Sequence, residues 1–152
     1  MPALPFREAD VSALLDPSAA DVVRRLGPDA SWDVVGAALA GASPPAASAR
    51  PGIWSSVLAE FTDFVCSDSA RYADLRAQWD DLCARSAAVA VTALTAALAA
   101  ELGVASTVVA PLVVWLVLSA VRIGERAFCD VRGRATTASV QIPATANRRT
   151  GE

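Results

Sequence analysis

Three cysteines are the side chains of this 152-residue sequence with the greatest potential for covalent or metal chemistry. Cys66, Cys83 and Cys129 are far apart, odd in number and without a Cys-x-x-Cys pair. That spacing is not typical of a disulfide framework or a structural zinc site, so we expect Cys66 and Cys83 to be small packing residues. Cys129 lies between Arg126 and Arg132 and is the one cysteine with basic neighbours that could stabilise a thiolate nucleophile.

The other polar residues give little support to catalysis. The sequence contains no histidine, the residue that most often serves as a general base or a metal ligand. Asp74, Asp80 and Asp81 fall on the polar side of a predicted helix, where pairing with nearby arginines is the simpler interpretation. Gly103 and Gly124 are isolated and form no phosphate-binding loop. We therefore expect no catalytic, cofactor-binding or metal-binding residues, no small-molecule substrate and no enzymatic activity.

A long apolar stretch, residues 86–123, dominates the chain and must be buried in protein or in lipid. Its one formal charge before Arg122 is Glu101. Gly103 can end a helix in the left-handed conformation, so the stretch is predicted to form a helical hairpin that turns near Glu101. The residues predicted to line this membrane or core hairpin are Val91, Leu94, Leu98, Val113, Trp115, Leu116 and Leu118.

Two helices are predicted before the hairpin. Apolar residues from Ile53 to Val65 recur at three- and four-residue intervals and indicate an amphipathic helix. A second helix, capped by Ser67 or Asp68, has no stop signal at Arg85 and should continue to Ala100 or Glu101. We expect the two to pack antiparallel through their aromatic side chains. The candidate interaction surface consists of Trp54, Phe61, Phe64, Tyr72 and Trp79.

Signals for helix ends divide the rest of the chain. Asp16 and Pro17 favour a helix that closes at Gly27, and Ser31 can cap another that ends at Gly41. The resulting organisation is a small helical unit over 1–41, a Pro/Ala/Ser linker over 42–52, the amphipathic helices and hairpin over 53–129, and a disordered tail over 130–152.

Within the hairpin, Pro111 raises a question about where the second arm begins. A helix capped at Thr107 would place Pro111 where an N–H is needed. The second arm is therefore predicted either to begin near Val108 to Ala110 or to kink at Pro111, and to run on to Phe128.

Charge argues against nucleic-acid binding. The net charge is −3 and the isoelectric point is near 4.9, whereas nucleic-acid binders usually carry a basic face. The two short N-terminal helices joined by Gly-Pro could suggest a helix-turn-helix. However, the second offers only Asp33 and small apolar residues, without groups to read bases.

The fold class indicated is all-α, a helical bundle with two short N-terminal helices, an amphipathic helix and a strongly apolar hairpin. Two functions fit it. The first is a membrane-inserted hairpin serving as an anchor, effector or accessory subunit. Arginines lie only at the base of the hairpin, as the positive-inside rule requires of cytoplasmic ends, and residues 1–12 contain no secretory signal. This hypothesis places the protein in the plasma (inner) membrane with both termini cytoplasmic and the lipid bilayer as a partner.

The second function is a soluble, self-associating bundle in the cytoplasm that serves as a protein-binding or assembly module. Alanine and threonine in the first hairpin arm contribute little to membrane insertion and suit close helix contacts in either solvent. The apolar surface of the hairpin exceeds what the short N-terminal helices could cover, so self-association or a protein partner is expected.

Overall fold

The computed structural model describes residues 2–27, 29–41 and 52–141, and within these ranges it contains α-helices and no β-strand. The predicted all-α class is confirmed. The helices are α1 (Glu8–Ser12), α2 (Pro17–Leu26), α3 (Trp32–Gly41), α4 (Ile53–Cys66), α5 (Ala73–Arg85), α6 (Ala87–Leu102), α7 (Ser106–Ile123) and α8 (Glu125–Gln141).

The N-terminal helices begin where the sequence predicts. The Asp16 carboxylate accepts a hydrogen bond from the Ala19 N–H at 2.8 Å, and Pro17 occupies the first helical position of α2. The Ser31 hydroxyl accepts one from the Val34 N–H at 3.3 Å, at the start of α3. Both side chains satisfy N–H groups that the first helical turn leaves without partners.

The predicted continuous helix from a cap at Ser67 or Asp68 to Ala100 or Glu101 is wrong, because the helix is interrupted at Ser86. Ser86 is extended, with φ −175° and ψ 162°, and its hydroxyl accepts a hydrogen bond from the Val89 N–H at 3.1 Å. Serine competes well for such caps, so it ends α5 and starts α6 in a new direction. The expected cap at Ser67 or Asp68 is also displaced, since a short 3₁₀ turn over Ala70–Tyr72 precedes α5.

Helix α7 begins at Ser106, earlier than the Val108 to Ala110 of the first predicted alternative, and it continues through Pro111, the position at which the second alternative places a kink. Pro111 has no N–H to offer the carbonyl of Thr107, but Thr107 is exposed to water, which can supply that hydrogen bond. Gly124, with φ 90°, separates α7 from α8. The prediction that the second hairpin arm continues as one helix to Phe128 is therefore wrong. Residues 130–141 are helical where a disordered tail is predicted, and residues 142–152 lie outside the described chain.

The core is built around α7, whose residues 112–120 are all buried. Helices α1, α3, α4, α6 and α8 pack on it, and α5 lies along α6. Gly103, in the left-handed conformation with φ 65°, makes the turn between α6 and α7. The described helices of the predicted 1–41 unit therefore share one core with the hairpin. Residues 42–51 of the predicted linker lie outside the described chain.

The predicted antiparallel pairing of α4 with α5 is wrong, because α4 packs mainly on α7 and α8. Trp54 and Phe61 of α4 form edge-to-face pairs with Trp32 and Phe128, with ring centroids 6.1 and 5.5 Å apart. Aromatic contacts toward α5 come from Phe64, at the C-terminal end of α4. The aromatic side chains of α4 therefore contact α3, α8 and α5 instead of forming one interface with α5.

Candidate functional site

The surface with the most unusual composition is the outer face of α6. Its inner face is buried against the core through Ala90, Val91, Leu94, Thr95, Leu98 and Ala99. Its outer face exposes small or apolar side chains, Ala88, Val89, Thr92, Ala96 and Ala100, which we call the α6 face. No charged residue lies between Ser86 and Ala100. A helix face in contact with water normally carries charged or strongly polar residues, so this face is atypical.

A groove of about 310 Å³ runs beside the α6 face, between α6 and α7. Its walls are small or apolar, and the hydroxyls of Thr92, Ser106 and Thr107 are among its few polar groups. Thr95 donates its hydroxyl hydrogen to the Val91 carbonyl at 2.8 Å, so that donor is already used within α6. The groove can therefore accept an apolar side chain with little loss of hydration.

Charged groups lie at the C-terminal end of the α6 face. Glu101 is 3.8 Å from Arg71, and Arg71 makes a closer ion pair of 2.7 Å with Glu60. The hydrogen bond that Arg71 donates to Glu60 and the negative charge of Glu60 raise the pKa of the Arg71 guanidinium. Tyr72 also donates its hydroxyl hydrogen to Glu60, and burial followed by this carboxylate raises the pKa of Tyr72. This network fixes the 3₁₀ turn against α4 and supplies the polar boundary of the face.

The cysteines are arranged differently from the prediction. Cys66 at the end of α4 and Cys129 in α8 form a disulfide, with their Cα atoms 5.6 Å apart. The prediction that Cys66 is a free packing residue is wrong, and Cys129 is not available as a thiolate in this state. Sequence spacing could not reveal the pair, since 63 positions separate its members. Cys83 is free and partly buried, as expected of a packing residue, and burial together with Asp80 raises the pKa of its thiol to about 11.

The structure places the predicted interaction residues in the core. The exposed fraction of Trp54 is 8%, and those of Phe61, Phe64, Tyr72 and Trp79 are 3% or less. The chain's own helices cover all five, so a partner could reach them only by displacing a helix. Their proposed contact with a partner stays a prediction.

The predicted hairpin residues are also buried within the chain. The exposed fraction of each of the seven is 4% or less. Among the described helices, α7 is the one long and apolar enough to cross a bilayer, with a mean hydropathy of 2.0, and 61% of its residues are buried inside the protein. In the described part of the chain, no three Cys, Asp or Glu side chains are grouped to hold a metal ion.

Comparisons with known proteins find no matching family model, curated protein or solved structure. The arguments about function therefore rest on the residues and geometry of the chain itself. The feature that sequence reasoning missed is the α6 face. Its signal was the spacing of small residues at Ala88, Thr92, Ala96 and Ala100, four positions apart, which places them on one side of a helix.

Proposed function

We propose that this protein is a non-enzymatic assembly module, a helical bundle that associates with a second copy of itself through the α6 face and the adjoining groove. The observation that carries the proposal is the uncharged, exposed face of small residues on α6. Such a face gains by being covered, because it has no charged groups to lose from water.

The small side chains of this face suit another helix. Alanine and threonine let two helix backbones approach closely, near the lower end of the usual 8–10 Å between axes. Val89, with an exposed fraction of 38%, is the largest apolar side chain on the face. The neighbouring groove, lined by Thr92 and Ala96, is a complementary site for an apolar side chain of a second molecule. One surface thus carries both a projection and a recess, as a two-fold symmetric interface requires.

The size of the face indicates a reversible association. Its 16-residue helix is about 24 Å long at about 1.5 Å per residue. A stable interface usually buries about 800 Å² on each partner, which is more than one helix face of this length supplies. We therefore expect a dimer that dissociates on dilution.

Membrane insertion of the hairpin is the second candidate, favoured by the length and hydropathy of α7. Two observations weigh against it. The α7 side chains that would face lipid are already covered by five other helices. The predicted topology also puts Cys66 and Cys129 in the cytosol, where disulfides are rare. The disulfide also weighs against the cytoplasm, which is the location predicted from the sequence for the soluble bundle.

Sedimentation velocity over a hundredfold range of protein concentration tests the assembly proposal. We expect the average mass to rise from monomer toward dimer, and Ala96→Arg to abolish the rise, because it puts a long charged side chain in the centre of the face. The matched control is Ala77→Arg, at an exposed alanine of α5 that is not part of this face, and this variant should dimerise like the parent protein. A parent protein that remains monomeric, or equal effects of the two substitutions, would refute the proposal.

Membrane fractionation with an alkaline carbonate wash distinguishes the two candidates. The assembly module should be recovered in the soluble fraction without detergent. Carbonate-resistant pelleting of protein that is not aggregated would instead favour the membrane hairpin.

A further inference from the structure

A second concave site lies on the opposite side of α7, among α2, α3 and α7. It is a cleft of about 460 Å³, within the size range of small-molecule sites. Trp32 and Val35 of α3 and Trp115 of α7 supply its apolar surface, and Arg24 and Arg122 also line it. This site is independent of the α6 face and of the proposed self-association.

Two polar side chains of the cleft, Trp115 and Ser119, are already hydrogen-bonded within the protein. The Trp115 indole N–H donates to the Trp32 carbonyl at 2.8 Å, and the Ser119 hydroxyl donates to the Trp115 carbonyl at 2.8 Å. These bonds hold the large Trp115 side chain in one orientation. They also use the Trp115 N–H and the Ser119 hydroxyl hydrogen within the protein, so the ring of Trp115 favours a flat apolar group.

The two arginines give the cleft a cationic boundary. The Arg122 guanidinium carbon lies 5.8 Å from the Trp115 ring centroid, and its Nε donates to Glu8 at 2.6 Å. The Nη groups of Arg122 carry the donors that a second carboxylate would use. Arg24 is 75% exposed, and its nearest acidic partner, Asp21, is 3.9 Å away. A guanidinium held over an aromatic ring is well placed to bind a carboxylate next to an apolar body.

We propose that this cleft binds a small carboxylate with a flat, apolar body. The apolar part packs against Trp115, Trp32 and Val35, and the carboxylate accepts hydrogen bonds from Arg122 and Arg24. Glu8 competes for Arg122, so its carboxylate lowers the affinity of the empty cleft for an anionic ligand. Because Glu8 is 54% exposed, water can solvate it when the ligand is bound.

Isothermal titration calorimetry of the full chain with 2-naphthoate tests the proposal. We expect saturable binding of one ligand per chain. The neutral analogue 2-naphthylmethanol should bind about tenfold more weakly or worse, because it cannot form charge-assisted hydrogen bonds with the arginines. Equal binding of the two compounds, or no saturable binding of naphthoate at millimolar concentration, would overturn the proposal.

Two matched pairs of variants locate the site. Glu8→Gln and Arg122→Gln both remove the same ion pair, but we expect the first to tighten naphthoate binding and the second to weaken it about tenfold. Arg24 and Arg25 both pair with Asp21 on α2, yet Arg24 lines the cleft and Arg25 does not. Arg24→Gln should therefore weaken binding and Arg25→Gln should leave it unchanged. Equal effects within either pair would contradict the assignment.

Discussion

The indole ring of Trp54 lies against the backbone of Gly36, so that a methyl group added at Gly36 would meet ring carbons at 2.3 Å. Trp54 is held from its other side by the core and pairs with Trp32. Glycine at this position is therefore required by the packing of α3 on α4, even though it weakens the helix locally.

Gly36→Ala should destabilise the protein by about 1–3 kcal/mol, because displacement of the Trp54 ring outweighs the gain in helix propensity. Gly41→Ala, at the end of the same helix with no atom within 4 Å of the added carbon, is the matched control. Urea denaturation should show a loss for the first variant and no comparable loss for the second. Equal midpoints would contradict the close packing.

Loss of the Cys66–Cys129 disulfide should lower the free energy of unfolding. The bridge spans 63 positions, and a loop of that length corresponds to about 4 kcal/mol of restricted unfolded-state entropy. We expect Cys66→Ser and Cys129→Ser to lose similar amounts, and the double variant to lose no more than either. Chemical denaturation without reductant measures this, with Cys83→Ser as a control that keeps the bridge. Additive losses in the double variant would show that no bond joins the two residues.

Trp79 should be among the most sensitive single positions. It is 1% exposed, its ring packs on Phe64 with centroids 5.0 Å apart, and its indole N–H donates to the Ala3 carbonyl at 2.6 Å. Trp79→Ala should cost about 3–5 kcal/mol, whereas Trp79→Phe keeps an aromatic ring and should cost less. Thermal unfolding of both variants measures the order, and an alanine loss below about 1 kcal/mol would count against this packing.

Asp63 should make stability depend on pH in the acid range. Hydrogen bonds from the Ser67 and Ser69 hydroxyls lower the pKa of its carboxyl below the ordinary value of 3.8. Its stabilising contribution is thus present above pH 3.8 and is lost as the pH falls through the lower folded-state pKa. Asp63→Asn should be less stable than the parent near neutral pH, and the difference should shrink as the pH falls below 3.8. A difference independent of pH would exclude a role for ionised Asp63.

The Cys83 thiol should react slowly at neutral pH. Burial, and then the charge of Asp80, raise its pKa to about 11, and the thiolate is the reactive form. The rate of alkylation by iodoacetamide should rise with pH toward that value, provided the protein remains folded. Asp80→Asn should shift the profile slightly to lower pH, since burial is the larger cause. Rapid alkylation of the folded protein near pH 7 would disagree with this environment.

Much of the helical pattern follows from short-range signals. The cap at Asp16, the proline after it and the left-handed Gly103 each act through neighbouring backbone groups, so sequence alone locates them. Ser86 is a signal that sequence reasoning overlooked. It is a single serine at the start of a long apolar run, yet it ends α5 and caps α6.

The candidate sites depend on longer-range relationships. Cys66 and Cys129 meet because α8 returns to α4, and Trp54 meets Gly36 because α3 lies beside α4. Neither contact leaves a periodic signal. The α6 face was visible as small residues four positions apart, but the packing of α1, α4, α5 and α7 on α6 determines which of its sides remains exposed.

The first residues of the chain are held by much later ones. The Leu4 N–H donates to Glu125 across 121 positions, and Glu8 pairs with Arg122 across 114. During synthesis, the N-terminal segment leaves the ribosome long before these partners exist. Its final attachment must therefore wait until the end of α7 and the start of α8 have emerged from the ribosome.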